Sequence, residues 1–277
     1  VVIGETRQGK SVGMNRLLAG VTSDLVMFTD ANIELDPGAI ERARLHFADP
    51  AVGGICGHIS HRVADNDGAP AATAGYWQLE QWLKRLESEI DPTLMADGSL
   101  FVIRRRLFRE VPSDIIDDMF TSASVMCDGY RLLQVDDVRG YELIEARTGQ
   151  EVRRKRRIVC RAYRCHRLLW PRLRRLPWHR LYMYLSHKYL RWLSGLCLLG
   201  AALLAGLALL LAYPALAIWL AVLGILALAA LFLVRRRWFD MLQAGLMGLL
   251  APGLGVMDAL RGRTYVTWTP VRGGAAS

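Results

Sequence analysis

The sequence lacks the cysteine pattern of a disulfide-stapled domain and that of a zinc site. Its 277 residues contain five cysteines, whose spacing shows no paired framework, and this favours a reducing compartment. Cys160 and the pair Cys165-His166 fall short of the four spaced ligands of structural zinc. The chain opens Val-Val-Ile-Gly, with neither Met nor a signal peptide. We therefore expect an N-terminally truncated sequence in which one or more strands are missing.

Charge is absent from one long stretch and concentrated in another. No charged residue occurs from Trp192 to Val234, whereas residues 147–191 hold fifteen of the thirty-five basic residues and a single acid, Glu151. Most of the net charge of +9 comes from that block, which argues against a uniformly basic nucleic-acid binder. Residues 1–146 have the mixed composition of a soluble α/β domain.

The uncharged stretch predicts a transmembrane helical hairpin over residues 192–234. Residues 192–213 would form a helix about 33 Å long, which is enough to cross the hydrocarbon core, and the chain returns after Pro214. Arginine-rich segments flank the pair, so the positive-inside rule places both ends in the cytoplasm. Residues 235–277 add a third apolar or re-entrant segment and a tail, and we expect a cytoplasmic C-terminus.

The basic block at 147–191 is interleaved with Trp170, Trp178 and Tyr182. We interpret it as basic interfacial helices that lie against anionic lipid headgroups, with the aromatic rings at headgroup depth. Recognition of a lipid diphosphate or a growing glycan by the same block stays open.

An apolar run that ends in a carboxylate marks the candidate site of the soluble part. Residues 25–29 predict a strand, and Asp30-Ala31-Asn32 follow it. Ligands bind at the carboxyl ends of strands in open α/β sheets, and Mg²⁺ takes one or two carboxylates plus substrate phosphates. Asp30 and Asn32 are therefore candidate ligands of a metal–diphosphate group, with an ordinary Asx turn as the alternative.

A glycine-rich pattern near the start of the chain offers a different function. Residues 4–11 read GETRQGKS and fit the phosphate-binding pattern G-x-x-x-x-G-K-S. A P-loop NTPase is thus one alternative. Two features weigh against it, since only twenty positions separate Lys10 from Asp30 and no nucleotide-hydrolysing apparatus follows.

Two adjacent acids begin a later predicted helix. Ser113 or Asp114 can cap this helix, and its first turn carries Asp117 and Asp118, where acids are also common as partners of the helix dipole. Adjacent helical residues point about 100° apart, so we expect only Asp118 to face a ligand. Upstream, Gly98 would let a ligand approach the backbone closely before the predicted strand at 100–103, with a simple turn as the alternative.

Taken together, these motifs occur in a characteristic order. They are Gly9-Lys10 with Asn15, Phe28-Thr29-Asp30-Ala31-Asn32, Asp97-Gly98-Ser99 before Arg104-Arg105, Asp117-Asp118, Asp128-Gly129-Tyr130-Arg131, Tyr141-Glu142 and the C-terminal Trp268-Thr269-Pro270-x-Arg272. This series resembles the membrane-bound family 2 glycosyltransferases (GT2). The resemblance implies an α/β fold with a GT-A-type, Rossmann-like nucleotide-sugar-binding sheet, followed by a C-terminal transmembrane helical region. It also favours a transferase over the NTPase.

The resemblance implies a role for each matched residue. Lys10 and Asn15 would lie near the nucleotide, Asp30 would bind the diphosphate through Mg²⁺ or Mn²⁺ with Asn32 in the place of a second Asp, Gly98 and Ser99 would line the acceptor side, Asp118 would be the general base and Asp117 its supporting acid. The Gln-x-x-Arg-Trp signature of processive members has two partial matches without the Trp. These supply Gln150, Arg153, Arg154 and Arg157 as candidate substrate-binding residues.

The implied activity is that of an inverting, metal-dependent hexosyltransferase in polysaccharide or glycolipid synthesis. It would move a sugar from a nucleotide-sugar donor, a UDP-sugar, to a glycan or lipid acceptor. Residues 1–146 would be the cytoplasmic catalytic domain of a multi-pass protein of the plasma (inner) membrane, in contact with membrane lipids. A catalytically silent membrane scaffold subunit is the other alternative.

Overall fold

The computed structural model describes residues 8–63, 96, 98–144, 148–234 and 236–266. The chain divides into two compact units. The first contains Val1–Ala146, Arg164–Tyr184 and Thr264–Ser277, and the second contains Arg147–Tyr163 and Leu185–Arg263. The basic block expected at 147–191 is thus shared between the two units.

The first unit contains a five-stranded mixed sheet. Its strands are β1 (Leu25–Thr29), β2 (Ile33–Leu35), β3 (Val52–Val63), β4 (Leu100–Arg104) and β5 (Arg131–Ile144). Their order in the sheet is β1-β4-β3-β5-β2. Strands β3 and β5 run parallel, and the pairs β1–β4, β3–β4 and β2–β5 are antiparallel.

Helices precede and follow these strands. The first unit has α1 (Lys10–Ala19), α2 (Ala39–Leu45) and α3 (Asp117–Cys127). The long helix α4 (Thr148–Leu173) passes from the second unit into the first and is followed by α5 (Trp178–Tyr184). A π-helical turn at Leu185–Tyr189 leads into α6 (Leu190–Ala212), α7 (Pro214–Val234) and α8 (Arg236–Leu260).

Strand β4 lies in the centre of the core because both of its faces are covered. Successive side chains of a strand point to opposite faces. Leu100 and Val102 join a cluster with Ala43 of α2, whereas Phe101 and Ile103 join a second cluster that includes residues of α3 and β5. A strand buried on both faces reads as a continuous apolar run, which is how residues 100–103 read.

Helix α3 begins later than predicted. It starts at Asp117 after Ile116, which makes no side-chain capping hydrogen bond, so the prediction that Ser113 or Asp114 caps it is wrong. The predicted end is confirmed at Asp128-Gly129. Gly129 has a φ of +86° and donates its N–H to Met126 O at 3.0 Å, the left-handed ending that glycine favours.

The second unit is built from helices with large apolar surfaces. Residues 218–230 of α7 are exposed throughout, and a helix that is apolar on all sides belongs in a protein core or in lipid. Within the described ranges, one helical stretch, Trp178–Ala212, is long and apolar enough to cross a membrane, and Pro214–Ala230 and Leu246–Leu260 are shorter apolar helices. Of the predicted hairpin, only the first arm meets that criterion.

Helix α8 continues through Pro252 as one helix. Small residues allow close packing here: a Cβ at Gly195 of α6 would lie 2.1 Å from Leu249 O. The Asp258 carboxylate of α8 is fully buried, and it accepts hydrogen bonds from Arg156 Nε at 2.5 Å and from Arg263 Nη1 at 3.1 Å.

Candidate active site

A single ammonium group joins two distant acids. Lys10 is the first residue of α1, and its Nζ lies 3.1 Å from Asp30 Oδ1 and 3.2 Å from Asp117 Oδ2. The Asp117 side chain is only 9% exposed, against 46% for Lys10 and 43% for Asp30. The carboxyl end of β1 and the first turn of α3 therefore meet at the start of α1.

The turn that precedes β4 brings Asp30 and Asp118 to one place. Thr29 pairs with Leu100 in the sheet, and the Asp30 N–H donates to Ser99 O at 3.3 Å. A Cβ built on Gly98 would lie 2.7 Å from Asp118 Oδ2. Asp30 thus contacts the turn at Ser99 and Asp118 contacts it at Gly98, so both acids border the same turn.

The two adjacent acids of α3 both reach this site. Asp117 contacts Lys10, while Asp118 lies beside Gly98 and accepts a hydrogen bond from the Met119 N–H at 2.6 Å. The prediction that only Asp118 faces a ligand stays a prediction. The two carboxylates point in different directions from the helix, Asp117 towards Lys10 and Asp118 towards Gly98.

Electrostatics keep Lys10 charged. Partial burial, the largest single influence, lowers the pKa of its ammonium group. The charges of Asp117 and Asp30 and their hydrogen bonds together outweigh burial, so the pKa is raised above its ordinary value. A positive charge is therefore fixed between the two carboxylates.

The end of α4 that belongs to the first unit holds α3 from both ends. Arg164 donates to Asp114 Oδ2, with its Nε at 2.9 Å, just ahead of α3. Arg172 Nη2 donates to Asp128 Oδ1 at 2.6 Å, just beyond it. Between them, burial and the nearby charge of Asp118 raise the pKa of the Cys165 thiol, which keeps this thiol neutral.

A buried histidine completes the packing of this end of α4. His166 Nδ1 lies 2.7 Å from the hydroxyl of Tyr184, and burial lowers the pKa of His166 from 6.5 to about 4. The imidazole is therefore neutral at physiological pH.

Two predicted binding residues have other partners. Asn15 Nδ2 donates to Val111 O at 2.9 Å, and its Oδ1 accepts from the Val111 N–H at 3.0 Å. Both ends of this amide therefore tie α1 to the segment before α3, and the predicted contact with a nucleotide stays a prediction. Asn32 Nδ2 donates a hydrogen bond to Glu142 Oε1 at 3.0 Å. The amide oxygen of Asn32 is therefore the atom that could bind a metal ion.

The remaining predicted substrate-binding residues lie on another part of the chain. Gln150, Arg153, Arg154 and Arg157 are in the part of α4 that belongs to the second unit, and Arg153 and Arg154 are exposed there. Asp97 lies outside the described residues.

The carboxylates of the site fit a divalent metal ion whose remaining ligands come from a bound phosphate group and water. Within the described ranges no group of three His, Cys, Asp or Glu residues could hold a metal, so a complete protein cage is not formed there. Asp30 and Asp117 already share one cation, the Lys10 ammonium. One or two carboxylates completed by phosphates and water is the usual arrangement for Mg²⁺.

Sequence reasoning missed the bridge from Lys10 to both acids and the arginine contacts of α4. The Gly-Lys pair at a predicted helix start was a visible signal for a cation at this position. No pattern in the sequence indicated that the arginines of a basic block would pair with Asp114 and Asp128.

A mixed sheet with helices on both faces and acids gathered at one edge is characteristic of the GT-A type of α/β fold. This fold is shared with the mannosyltransferase PcManGT from Pyrobaculum calidifontis in complex with GDP-Man and Mn²⁺. The two chains are 23% identical with a TM-score of 0.64, and the match covers 94% of this chain and 68% of that chain. The chain belongs to glycosyl transferase family group 2, whose family model matches residues 25–234.

Two further similar structures are more distant. Glucosyl-3-phosphoglycerate synthase from Mycobacterium tuberculosis, solved with Mn²⁺, UDP and glucosyl-3-phosphoglycerate, is 13% identical with a TM-score of 0.36, and the match covers 56% of this chain and 53% of that chain. Mannosyl-3-phosphoglycerate synthase from Rubrobacter xylanophilus is 20% identical with a TM-score of 0.33, and the match covers 62% and 54%. No curated protein sequence matches the chain.

Proposed function

We propose that this chain is an inverting, metal-dependent glycosyltransferase that moves a sugar from a nucleotide-sugar donor to a glycan or lipid acceptor. Family membership supports the reaction class. The observation that carries the proposal further is that Asp30 and Asp118 border the same turn, Gly98-Ser99. One acid is thereby available to the donor and the other to the acceptor, within one site.

The donor side is formed by Asp30 and Lys10. Asp30, with Asn32 and the donor phosphates, would hold Mg²⁺ or Mn²⁺, which supplies charge neutralisation for the departing diphosphate. The Lys10 ammonium, held charged by its two acidic neighbours, adds a second positive charge for the phosphates. The nucleotide base is not fixed by these residues, and a UDP-sugar is the donor we expect.

The acceptor side is formed by Asp118 and Gly98. Asp118 Oδ2 lies directly against the backbone of Gly98, 2.7 Å from the position that a Cβ would occupy, and the acceptor hydroxyl would approach this carboxylate from its other side. The carboxylate accepts the proton of that hydroxyl as its oxygen attacks the sugar. Asp117 holds Lys10 and thereby orients the donor side. A single direct displacement inverts the anomeric centre, so no protein nucleophile is needed.

We place the enzyme at the cytoplasmic face of the cell membrane, as a multi-pass protein of polysaccharide or glycolipid synthesis. The apolar helical stretch Trp178–Ala212 and the exposed apolar surface of α7 support a membrane region. The basic residues that flank them support a cytoplasmic orientation. In this proposal Gln150, Arg153, Arg154 and Arg157 bind the substrates.

Replacement of the proposed base tests the assignment. The Asp118→Asn variant of the full-length protein should lose at least about 10²-fold in donor turnover, measured as nucleoside diphosphate release from a panel of nucleotide sugars with Mn²⁺ and with chelator. Asp24→Asn, which changes an exposed acid near the start of β1, is the matched control and should retain full turnover.

Three outcomes would overturn the proposal. Unchanged turnover in Asp118→Asn would show that this residue is not the base. If the wild-type protein releases no nucleoside diphosphate from any common donor, the silent scaffold gains support. ATP hydrolysis that depends on Lys10 would revive the P-loop NTPase.

A further inference from the structure

The position of the Lys10 ammonium suggests an order of binding. Its Nζ lies between Asp30 Oδ1 at 3.1 Å and Asp117 Oδ2 at 3.2 Å. Asp30 is the proposed metal ligand, and Asp117 is the second carboxylate that contacts the same ammonium group. A metal ion and the ammonium group cannot both lie between the two oxygens, because like charges a few ångströms apart repel strongly.

The pair is also asymmetric in burial. Asp30 is nearly half exposed and can take other partners from solvent, whereas Asp117 is 9% exposed. The buried Asp117 Oδ2 lies 3.2 Å from the Lys10 ammonium, which places a positive charge directly against this carboxylate. A buried carboxylate needs a compensating charge, and the Lys10 ammonium supplies it.

We propose that Lys10 acts as a place-holder for the divalent cation and makes metal binding depend on the donor. Without donor, the ammonium occupies the space between Asp30 and Asp117 and weakens metal binding. When the donor binds, its diphosphate offers Lys10 a stronger anionic partner. The long side chain turns to the phosphates and leaves Asp30 free for the metal. This inference rests on the proposed function, because it assumes a diphosphate donor and a metal at Asp30.

If Lys10 acts as a place-holder, its charge must affect how strongly the metal and the nucleotide influence each other's binding. A lysine with a purely structural role would have no such effect. The nucleoside diphosphate and the metal should each raise the affinity of the other by the same factor, as linkage requires. Part of that factor comes from direct contact between metal and phosphate. The part that comes from Lys10 disappears when the charge at position 10 is removed.

Manganese binding, measured without turnover, tests the inference. The full-length protein in detergent is titrated with Mn²⁺, and free Mn²⁺ is followed by electron paramagnetic resonance, first alone and then with saturating UDP or GDP. Lys10→Met should bind Mn²⁺ about tenfold more tightly than the wild type when no nucleotide is present. The same variant should gain less affinity from the nucleotide than the wild type gains.

Three variants serve as controls. Arg16→Met removes the same charge from an exposed position of the same helix and should leave Mn²⁺ affinity within about twofold of the wild type. Lys10→Arg keeps the charge and should keep the weak binding. Lys10→Gln is neutral but can still hydrogen-bond to both acids. Because it carries no charge, it should bind Mn²⁺ as tightly as Lys10→Met does, and it replaces that variant if an apolar side chain beside the two acids prevents folding.

The outcomes separate this inference from the proposed function. If neither neutral variant binds Mn²⁺ more tightly than the wild type, or if Arg16→Met tightens binding equally, place-holding is wrong while the activity of the wild type and the loss in Asp118→Asn are unaffected. If the wild type binds no Mn²⁺ even with nucleotide, the metal-dependent function fails and the inference fails with it.

Discussion

Adding one methyl group at Gly98 should displace the proposed base without unfolding the protein. In Gly98→Ala the new Cβ would lie 2.7 Å from Asp118 Oδ2 and 3.3 Å from its Cγ. The carboxylate must retreat by about 0.7 Å to reach an ordinary van der Waals separation. A misplacement of about 1 Å in a reacting group can cost about 10²-fold, so we expect kcat to fall by about 10- to 10²-fold.

Stability should change little in this variant. The atom that must move is the far end of a side chain, and Gly98 is not among the glycines with positive φ in the described part of the chain. Replacement of glycine by alanine also restricts the unfolded chain, which stabilises by about 0.4–1 kcal/mol where the backbone is compatible. The thermal midpoint of Gly98→Ala should therefore lie close to that of the wild type.

The assay compares kcat for nucleoside diphosphate release, KM for the donor and the thermal midpoint. Gly13→Ala is the matched control, because a Cβ at that exposed position of α1 meets nothing within 4 Å, and it should be fully active. If Gly98→Ala has wild-type stability and a kcat within about threefold of the wild type, Asp118 does not act as the base from this position.

Three further predictions concern the scaffold. Asp258→Ala should cost about 3 kcal/mol, because two arginines lose their buried partner, and the thermal midpoint in detergent should fall clearly. Because the pKa of His166 is about 4 against an ordinary 6.5, stability should be full above pH 6.5 and decline by up to about 1.4 kcal/mol per unit as the pH falls towards 4. His166→Gln should flatten that decline, measured as the thermal midpoint against pH. Arg172→Met should destabilise by about 1–2 kcal/mol through loss of its bond to Asp128, whereas Arg175→Met, which changes an exposed neighbour, should cost less than about 0.5 kcal/mol.

The strands that border the site and the C-terminal end of α3 could be predicted from the sequence. The apolar runs at 25–29 and 100–103 are the strands β1 and β4, because continuous apolar residues of strand length suit a sheet covered on both faces. The Asp-Gly pair at 128–129 ends α3 because glycine adopts the left-handed conformation at low cost. Both signals are local, so no knowledge of the rest of the fold was needed.

The long-range contacts of the site could not be predicted. Asn15 is predicted to lie near the nucleotide, and the sequence does not indicate that its amide also binds the backbone of Val111, 96 positions away. Asp114 appeared as a helix cap, but Arg164 binds it from α4. Each side chain can make its local contact or a distant one with similar chemistry, and the tertiary packing decides which. Sequence spacing carries no information on that decision.

The division of roles between the two adjacent acids follows from helix geometry. Successive residues of a helix point about 100° apart, so one face cannot hold both carboxylates of Asp117 and Asp118. The structure uses both directions. One carboxylate is buried against Lys10, where its charge is compensated, and the other lies against the backbone of Gly98. In the proposed mechanism, this Asp-Asp doublet at the start of a helix would serve the donor and the acceptor sides at once, with a cation against one carboxylate and a glycine against the other.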